Sequence, residues 1–272
     1  MLNDTPSIEK LRWIMAQLRD PETGCPWDIK QTFATIVPHT IEEAYEVADA
    51  VTEAVEQNDF SELEKELGDL LFQVIFYSQL GNEQKKFDFD SVVAAICEKL
   101  IRRHPHVFAN EELSTEEAIK QNWENEKAKE RQRRNQNDNI SILADIPKNL
   151  PALSQAAKIQ KRCSHVGFDW HNIQDVVAKI EEEVIEVKEE LAGDQQGLAE
   201  ELGDLMFAVV NLCRHAKQDP ENLLRKANQK FTKRFHGIEQ QVVDSGKAFE
   251  QHNLETLEQY WQKVKQSEKS QR

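Results

Sequence analysis

The feature that most constrains the fold is an acidic pattern that occurs twice within helix-forming sequence. The first copy has Glu42-Glu43-Ala44-Tyr45-Glu46 followed by Glu66-Leu67-Gly68-Asp69. The second has Glu182-Glu183-Val184-Ile185-Glu186 followed by Glu201-Leu202-Gly203-Asp204. A carboxylate within an apolar helical stretch costs free energy unless a partner compensates its charge. Because the pattern recurs at a similar spacing, it indicates a duplicated unit that binds a cation.

The duplication extends beyond the acidic residues. Basic and aromatic positions also recur, with Lys99, Arg103, Trp123 and Lys127 matching Lys230, Arg234, Trp261 and Lys265. The separation between the copies is too long for a solenoid repeat. The segment between them is polar and basic and then contains two prolines, which is typical of a linker. The sequence therefore predicts two domains, residues 1–127 and 149–272, joined by a linker at 128–148.

Apolar residues recur at helical spacing in both copies. In the second copy they step by three and four along two consecutive segments, at Val177, Ile180, Val184, Val187 and Leu191 and then at Leu202, Leu205, Val209 and Leu212. Asp219-Pro220 is typical of a helix start, and Ser114 with Glu117 is typical of a capping box. These patterns predict an all-α fold made of tandem bundles of four or five helices each.

Composition excludes several classes of function. The formal net charge of −15 argues against a broad nucleic-acid surface, and the short basic run at 129–134 is a weak candidate for one. The four cysteines form no CxxC motif, which favours a reducing cytoplasm over a disulfide framework or a zinc site. The N-terminus is too acidic for a signal peptide, and no run of about 18 apolar residues predicts a membrane span.

The acidic residues of each copy fall on two consecutive helices. Glu183 and Glu186 share one helical face, as do Glu201 and Asp204, and a short polar turn at 192–197 separates the two helices. An antiparallel hairpin would bring these carboxylates together as hard oxygen ligands, which suit Mg²⁺ or Mn²⁺ better than Zn²⁺ or copper. The alternative is a set of ordinary solvated carboxylates, and Glu183 disfavours it because it lies within the apolar stripe.

Glycine recurs between the acidic residues of the second helix, at Gly68 and Gly203. Glycine within a helix lowers stability by about 1 kcal/mol relative to alanine. Two explanations stay open at this point. The glycines allow close approach of another helix or a ligand, or they reflect inherited helix packing.

Two further segments accompany the doubled acidic motif, LRDPETGCPWDIKQT at 18–32 and VGFDW at 166–170. With these segments, the sequence resembles the MazG family of nucleoside triphosphate pyrophosphohydrolases, and the resemblance covers nearly the whole chain. It implies an all-α fold, Mg²⁺ dependence, a homodimer, and hydrolysis of a nucleoside triphosphate to monophosphate and pyrophosphate. It also implies that the metal ligands are Glu183, Glu186, Glu201 and Asp204, which leaves Glu182 to orient or deprotonate a water molecule.

A triphosphate also needs cationic partners. Lys230 and Arg234 are four apart on a predicted helix and are placed to clamp phosphate oxygens, or else they belong to a solvated basic face. Trp261 with Lys265 could stack on a base and contact phosphate, or Trp261 could be buried under the C-terminal helix. The predicted substrate-binding residues are therefore Lys179, Glu182, Glu200, Lys230, Arg234, Trp261 and Lys265.

The two copies differ around the shared carboxylates. Lys179, one turn before Glu183, corresponds to His39, which is mostly neutral near pH 7. The extra cation favours the second copy as the catalytic one. The first copy, with Glu42, Glu43, Glu46, Glu66 and Asp69, is then a second active site, a regulatory nucleotide site or a dimerisation platform.

Two rival functions stay open. One is a narrower hydrolase restricted to a single deoxy or damaged nucleotide, since no base-specific signature is visible. The other is a non-catalytic helical module that binds nucleotide or metal.

Overall fold

A computed structural model describes residues 5–109, 114–134, 141–191, 193 and 195–270. These residues form twelve α-helices and one short 3₁₀ segment, and they contain no β-strand, which confirms the predicted all-α fold. The chain divides into two compact units, Met1–Glu130 and Arg131–Arg272. None of the helices in the described ranges combines the length and the apolar character that crossing a bilayer requires.

The first unit is built around a long helical hairpin. Its helices are α1 (Ile8–Leu18), α2 (Pro26–Lys30), α3 (Phe33–Gln57), α4 (Ser61–Glu83), α5 (Phe89–Arg103), α6 (Pro105–Phe108) and most of α7 (Glu116–Arg134), which runs past the unit boundary at Glu130. Helix α3 packs along α4, and α1 closes over α4. The apolar core lies among these three helices and consists of Met15, Ile36, Ile75, Phe76 and Leu80.

The second unit contains a corresponding hairpin. Its helices are α8 (Ala152–Ser164), α9 (Ile173–Glu190), α10 (Gln195–His215), α11 (Pro220–Asp244) and α12 (Leu254–Ser270). Helix α9 packs along α10, α8 packs against α10, and α11 and α12 form a further pair. The predicted start at Asp219-Pro220 is confirmed, because the Asp219 side chain accepts a hydrogen bond from Asn222 N at 2.8 Å and Pro220 is the first helical residue.

Two local predictions differ from the structure. The sequence predicts Ser114 as the cap of α7, but the Thr115 hydroxyl accepts the hydrogen bond from Ala118 N at 3.1 Å. The helix begins one residue later than predicted, at Glu116, so the hydroxyl in the capping position is that of Thr115. The predicted turn at 192–197 is shorter, because α10 already begins at Gln195, and positions 192 and 194 lie outside the described residues.

The glycines of the acidic helices have open space beside them. A Cβ atom added to Gly68 or Gly203 would meet no atom within 4 Å in the described part of the chain. Close packing of another helix of this chain therefore does not explain them. Approach of a ligand, or of a helix from a second copy of the chain, stays open.

Candidate metal and substrate site

Three carboxylates of the second unit meet where α9 and α10 pack together. Glu183 on α9 and Glu201 and Asp204 on α10 each offer an oxygen, and these oxygens all lie within 4.8 Å of one another. The arrangement arises because the short connection holds the two helices antiparallel, with their acidic faces toward each other. Glu186, the fourth predicted ligand, lies outside this group of three.

The carboxylates repel one another in a partly desolvated setting. Burial is the main cause that raises the pKa of Glu201, followed by the negative charges of Glu186, Asp204, Glu183 and Glu190. Glu186 is therefore close enough to act on the cluster through its charge. Such a concentration of negative charge stabilises a bound cation.

Glu183 provides the strongest sign of a ligand site. Its residue is 5% exposed, and its Oε2 atom is buried with no hydrogen-bond partner among the described residues. A buried carboxylate oxygen without a partner is unfavourable, so the site fits an additional group that binds oxygen. The donors are carboxylate oxygens alone, which fits Mg²⁺ or Mn²⁺.

Lys179 supplies positive charge at the edge of the cluster. Its Nζ atom lies 2.8 Å from Glu182 Oε1 and 2.9 Å from Glu183 Oε1. Hydrogen bonds to Glu182 and then to Glu183 hold the Lys179 pKa above its ordinary value, so the ammonium stays charged. Glu182 has a side chain that is 58% exposed, which leaves it accessible to water. Glu200 is also exposed and accepts a hydrogen bond from Gln196 Nε2 at 3.3 Å.

A cavity of about 530 Å³ adjoins the acidic cluster. Lys179, Glu183 and Asp204 line one part of it, and the rest is lined by α8, by further residues of α10 and by the loop between α8 and α9. The volume lies within the range of small-molecule binding sites. The second unit therefore combines a carboxylate cluster that fits a cation with space for an organic ligand.

The loop after α8 forms an aromatic part of the cavity wall. Gly167 takes a backbone φ of +84°, which glycine adopts without strain, and the chain then places Phe168 and Trp170 at the cavity. Asp169 anchors this loop to α10, with Arg214 Nη1 at 2.9 Å from Asp169 Oδ2 and His215 Nε2 at 3.0 Å from Asp169 Oδ1. The hydrogen bond from Arg214 is the largest cause that lowers the Asp169 pKa to about 2.

The sequence alone predicts no ligand site at this loop. VGFDW carries only a family resemblance, and no pattern marks Arg214 or Asn211 as site residues. The spacing between Asp169 and Arg214, 45 positions, shows no periodicity that links them. The aspartate between two aromatic residues after a glycine was the one local signal of an anchored aromatic loop.

The four predicted substrate residues on α11 and α12 do not line this cavity. Arg234 Nη2 lies 2.9 Å from Glu268 Oε2, and its guanidinium lies 5.6 Å from the centre of the Trp261 ring. Trp261 also packs against Phe231, whose ring centre is 5.3 Å away. Lys230 is exposed and Lys265 is half-buried.

The first unit contains a corresponding brace, that is, an arginine–glutamate ion pair that joins two helices. Arg103 Nη2 lies 2.6 Å from Glu130 Oε2, and these residues correspond to Arg234 and Glu268. Lys127 lies over the Trp123 ring at 5.9 Å, much as Arg234 lies over Trp261. Hydrogen bonds from Arg103 are the largest cause that lowers the Glu130 pKa to about 2. The repetition favours packing of Trp261 under the C-terminal helix, which was one of the two alternatives for this residue.

The first unit also has an acidic cluster. Oxygens of Glu43, Glu46 and Glu66 lie within 4.8 Å of one another. Burial and then the charge of Asp69 raise the Glu43 pKa, while Gln73 Nε2 lies 3.3 Å from Glu43 Oε1. His39, which corresponds to Lys179, lies 3.6 Å from Glu42.

Comparisons with known proteins agree with the duplicated pattern. The domain described as "MazG nucleotide pyrophosphohydrolase domain" matches residues 31–108 and 171–242. A nucleoside triphosphate pyrophosphohydrolase of Escherichia coli K12 is 50% identical over 264 residues, which are 96% of this chain and 98% of that protein. A Thermotoga maritima protein named nucleoside triphosphate pyrophosphohydrolase/pyrophosphatase MazG is 44% identical over 95% of each chain. The resemblance noted in the sequence is confirmed.

Substitution of Lys179 by alanine is expected to destabilise the metal-free protein by about 1–3 kcal/mol, because the buried Glu183 carboxylate loses its charged partner. Added Mg²⁺ should recover part of this loss by binding the folded state. Thermal unfolding with and without MgCl₂ measures both effects. Lys188→Ala is the matched control, since Lys188 is exposed on the same helix. Equal losses in the two variants, or no recovery with Mg²⁺, would contradict the role of Lys179.

Proposed function

The chain belongs to the MazG nucleotide pyrophosphohydrolase family, and we propose that it hydrolyses nucleoside triphosphates between the α- and β-phosphates to nucleoside monophosphate and pyrophosphate. Relatives with that activity in their names align along nearly the whole chain. The observation that carries the proposal is the unpartnered, buried Glu183 Oε2 within a carboxylate cluster beside a cavity. Its biological role would be to clear nucleotide pools of unwanted triphosphates.

The proposed cofactor is Mg²⁺, with Mn²⁺ as a substitute. Glu183, Glu201 and Asp204 would hold it, and Glu186 would complete the set or act through its charge. When bound, the cation would neutralise phosphate oxygens and lower the pKa of a bound water. The all-oxygen donor set supports this choice over zinc.

Lys179 and Glu182 are proposed to act on the reacting groups directly. The Lys179 ammonium lies at the cavity and would donate hydrogen bonds to phosphate oxygens, exchanging part of its contact with the two glutamates. Glu182 is exposed next to it and would orient the attacking water or accept its proton. A bond forms between the α-phosphorus and the water oxygen, and the bond from the α-phosphorus to the bridging oxygen breaks. That oxygen leaves as part of pyrophosphate.

The other predicted substrate contacts remain proposals. Glu200 lies next to Glu201 on α10, whereas Lys230, Arg234, Trp261 and Lys265 lie on α11 and α12, outside the cavity lining. For Arg234 to contact phosphate, it would have to exchange its bond to Glu268. Alanine at these positions would therefore affect the Michaelis constant only where the substrate extends beyond the cavity.

We assign catalysis to the second copy. Lys179 supports this assignment because it places a permanent positive charge beside the carboxylates, where the first copy has His39. The domains proposed are residues 1–127 and 149–272 with a linker at 128–148, and residue 127 falls within α7. The first copy then supports or regulates the second.

A second candidate function is a non-catalytic nucleotide- or metal-binding module. The first-unit cluster favours it for that half of the chain, because the Gln73 amide occupies a position next to Glu43. Such a module would bind nucleotide without releasing pyrophosphate.

Pyrophosphate release from a mixture of NTPs and dNTPs tests the assignment of the copies. Glu183→Ala is expected to reduce the rate at least about 100-fold, since it removes a metal ligand. Glu43→Ala, the corresponding change in the first unit, is the matched control and should retain most of the activity. Loss of activity in Glu43→Ala alone would place catalysis in the first copy. Release of orthophosphate alone would overturn the proposed reaction.

Removal of divalent metal should abolish pyrophosphate release. Treatment with EDTA and gel filtration is expected to give an inactive protein, Mg²⁺ should restore it, and Mn²⁺ should replace Mg²⁺. Circular dichroism of the same samples controls for unfolding. Full activity in the metal-free protein, or restoration by Zn²⁺ alone, would contradict the proposed cofactor.

The proposed location is a reducing cytoplasm, where the four cysteines, all of them described residues, stay free.

A homodimer is the proposed assembly. Apolar residues on α10 support association, because Leu202 is 42%, Met206 59% and Val209 43% exposed. Light scattering should give about twice the chain mass of 31.5 kDa. Met206→Asp should lower the mass toward one chain, whereas Leu254→Asp, at an exposed position on α12, should not. A single-chain mass for the wild type would contradict the proposal.

A further inference from the structure

The cavity extends from the acidic cluster to a group of polar and aromatic side chains that the proposed chemistry does not use. Besides Glu183 and Asp204, it is lined by Phe168, Trp170, Asn211 and Arg214. The aromatic residues belong to the loop that Asp169 anchors. Planar, partly apolar walls of this kind suit a stacked heterocycle, because every nucleobase has a flat π surface.

Asn211 is held in one orientation by Arg214. The Asn211 Oδ1 atom accepts hydrogen bonds from Arg214 Nε at 3.0 Å and from Arg214 Nη2 at 2.7 Å. Because both bonds are accepted by the oxygen, the amide cannot be flipped without losing them. The Nδ2 group, which carries two hydrogens, is then the part of Asn211 left to serve a ligand in the cavity.

Gln160 lies in the same cavity wall and offers a hydrogen-bond acceptor, whereas Asn211 offers a donor. Its residue is 7% exposed, and its Nε2 atom donates to the backbone oxygen of Phe207 at 2.8 Å. That bond fixes the amide, so Oε1 is an acceptor, and Oε1 has no partner among the described residues. A buried acceptor without a partner is unfavourable, and a ligand that donates a hydrogen bond would satisfy it after a small side-chain movement.

In the first unit, larger side chains occupy the positions that correspond to the cavity lining of the second unit. Asp204 corresponds to Asp69, so by the same spacing Ala208 corresponds to Gln73 and Asn211 to Phe76. Gln73 is 6% exposed and bonds to Glu43, and Phe76 is 1% exposed within the apolar core. In the second unit the smaller Ala208 and the polar Asn211 line the cavity instead. The cavity is thus a feature of the copy assigned to catalysis.

We infer that this cavity binds the nucleobase of the substrate, stacked by Phe168 and Trp170, and that Asn211 determines base recognition by donating a hydrogen bond to an acceptor on the base edge. The inference rests on the proposed function, because it takes the acidic cluster as the site of the triphosphate. Gln160 supplies a complementary acceptor, so the edge of the base that faces this wall would present an acceptor to Asn211 and a donor to Gln160. Arg214 is a positioning residue that acts through Asn211 and Asp169.

Asn211→Asp tests the inference with little change in shape. The aspartate keeps an acceptor for Arg214 but lacks the Nδ2 donor. Rates of pyrophosphate release are compared for ATP, GTP, CTP, UTP and ribose 5-triphosphate, which has the sugar and phosphates but no base. For at least one of the four NTPs, kcat/KM should fall about tenfold or more, the effect expected for one hydrogen bond, while ribose 5-triphosphate is unaffected.

Two further variants separate the possible causes. Asn211→Leu removes the donor without adding a charge and should give the same selective loss. Asn222→Asp makes the same chemical change at an exposed position on α11 and should leave all rates unaltered. An equal fall for the NTPs and for ribose 5-triphosphate would overturn base recognition in favour of a structural role. No selective loss in either Asn211 variant would also overturn it. Absence of pyrophosphate release by the wild type would instead refute the proposed function.

Discussion

Repulsion among the carboxylates of Glu183, Glu201 and Asp204 is the constraint on which the second unit depends. Their oxygens lie within 4.8 Å of one another, and burial together with neighbouring charge raises the Glu201 pKa. Helix packing has to hold these groups together against that repulsion, and α9 and α10 do so along most of their length. Lys179 offsets part of the charge from one side. The hairpin therefore holds the carboxylates in an unfavourable arrangement that a bound cation would relieve.

In the first unit a different neighbour, the Gln73 amide, offsets part of the repulsion among the carboxylates. The carboxylates of Glu43, Glu46 and Glu66 also lie within 4.8 Å of one another, but Gln73 donates to Glu43, and Phe76 is buried in the apolar core. An amide donor stabilises a carboxylate without offering charge to a phosphate. The two copies thus share an acidic framework and differ in what surrounds it, and that difference is chemical rather than topological.

Much of the fold follows from sequence because it depends on local periodicity. Apolar steps of three and four give the helices, and a short turn brings Glu183 close to Glu201 and Asp204. The cavity could not be predicted in this way, because it depends on the positive φ of Gly167 and on the distant pair Asp169–Arg214. Arg234 and Trp261 show the same limit, since a spacing that suits a phosphate clamp also suits a packed brace. The residue that distinguishes a packed brace from a phosphate clamp is Glu268, which lies 34 positions from Arg234.

Comparison of the two copies distinguishes residues that support the shared fold from residues that are particular to the candidate site of the second copy. The braces Arg103–Glu130 and Arg234–Glu268 occur in both units, so they are explained by the packing that both units share. The acidic clusters also occur in both, and carboxylates alone therefore do not distinguish a catalytic unit. What differs is Lys179 in place of His39, and Ala208 with Asn211 in place of Gln73 with Phe76. Each of these exchanges adds a positive charge, space or a polar group toward the cavity, and together they support the proposal that the second hairpin holds a nucleotide beside a cation.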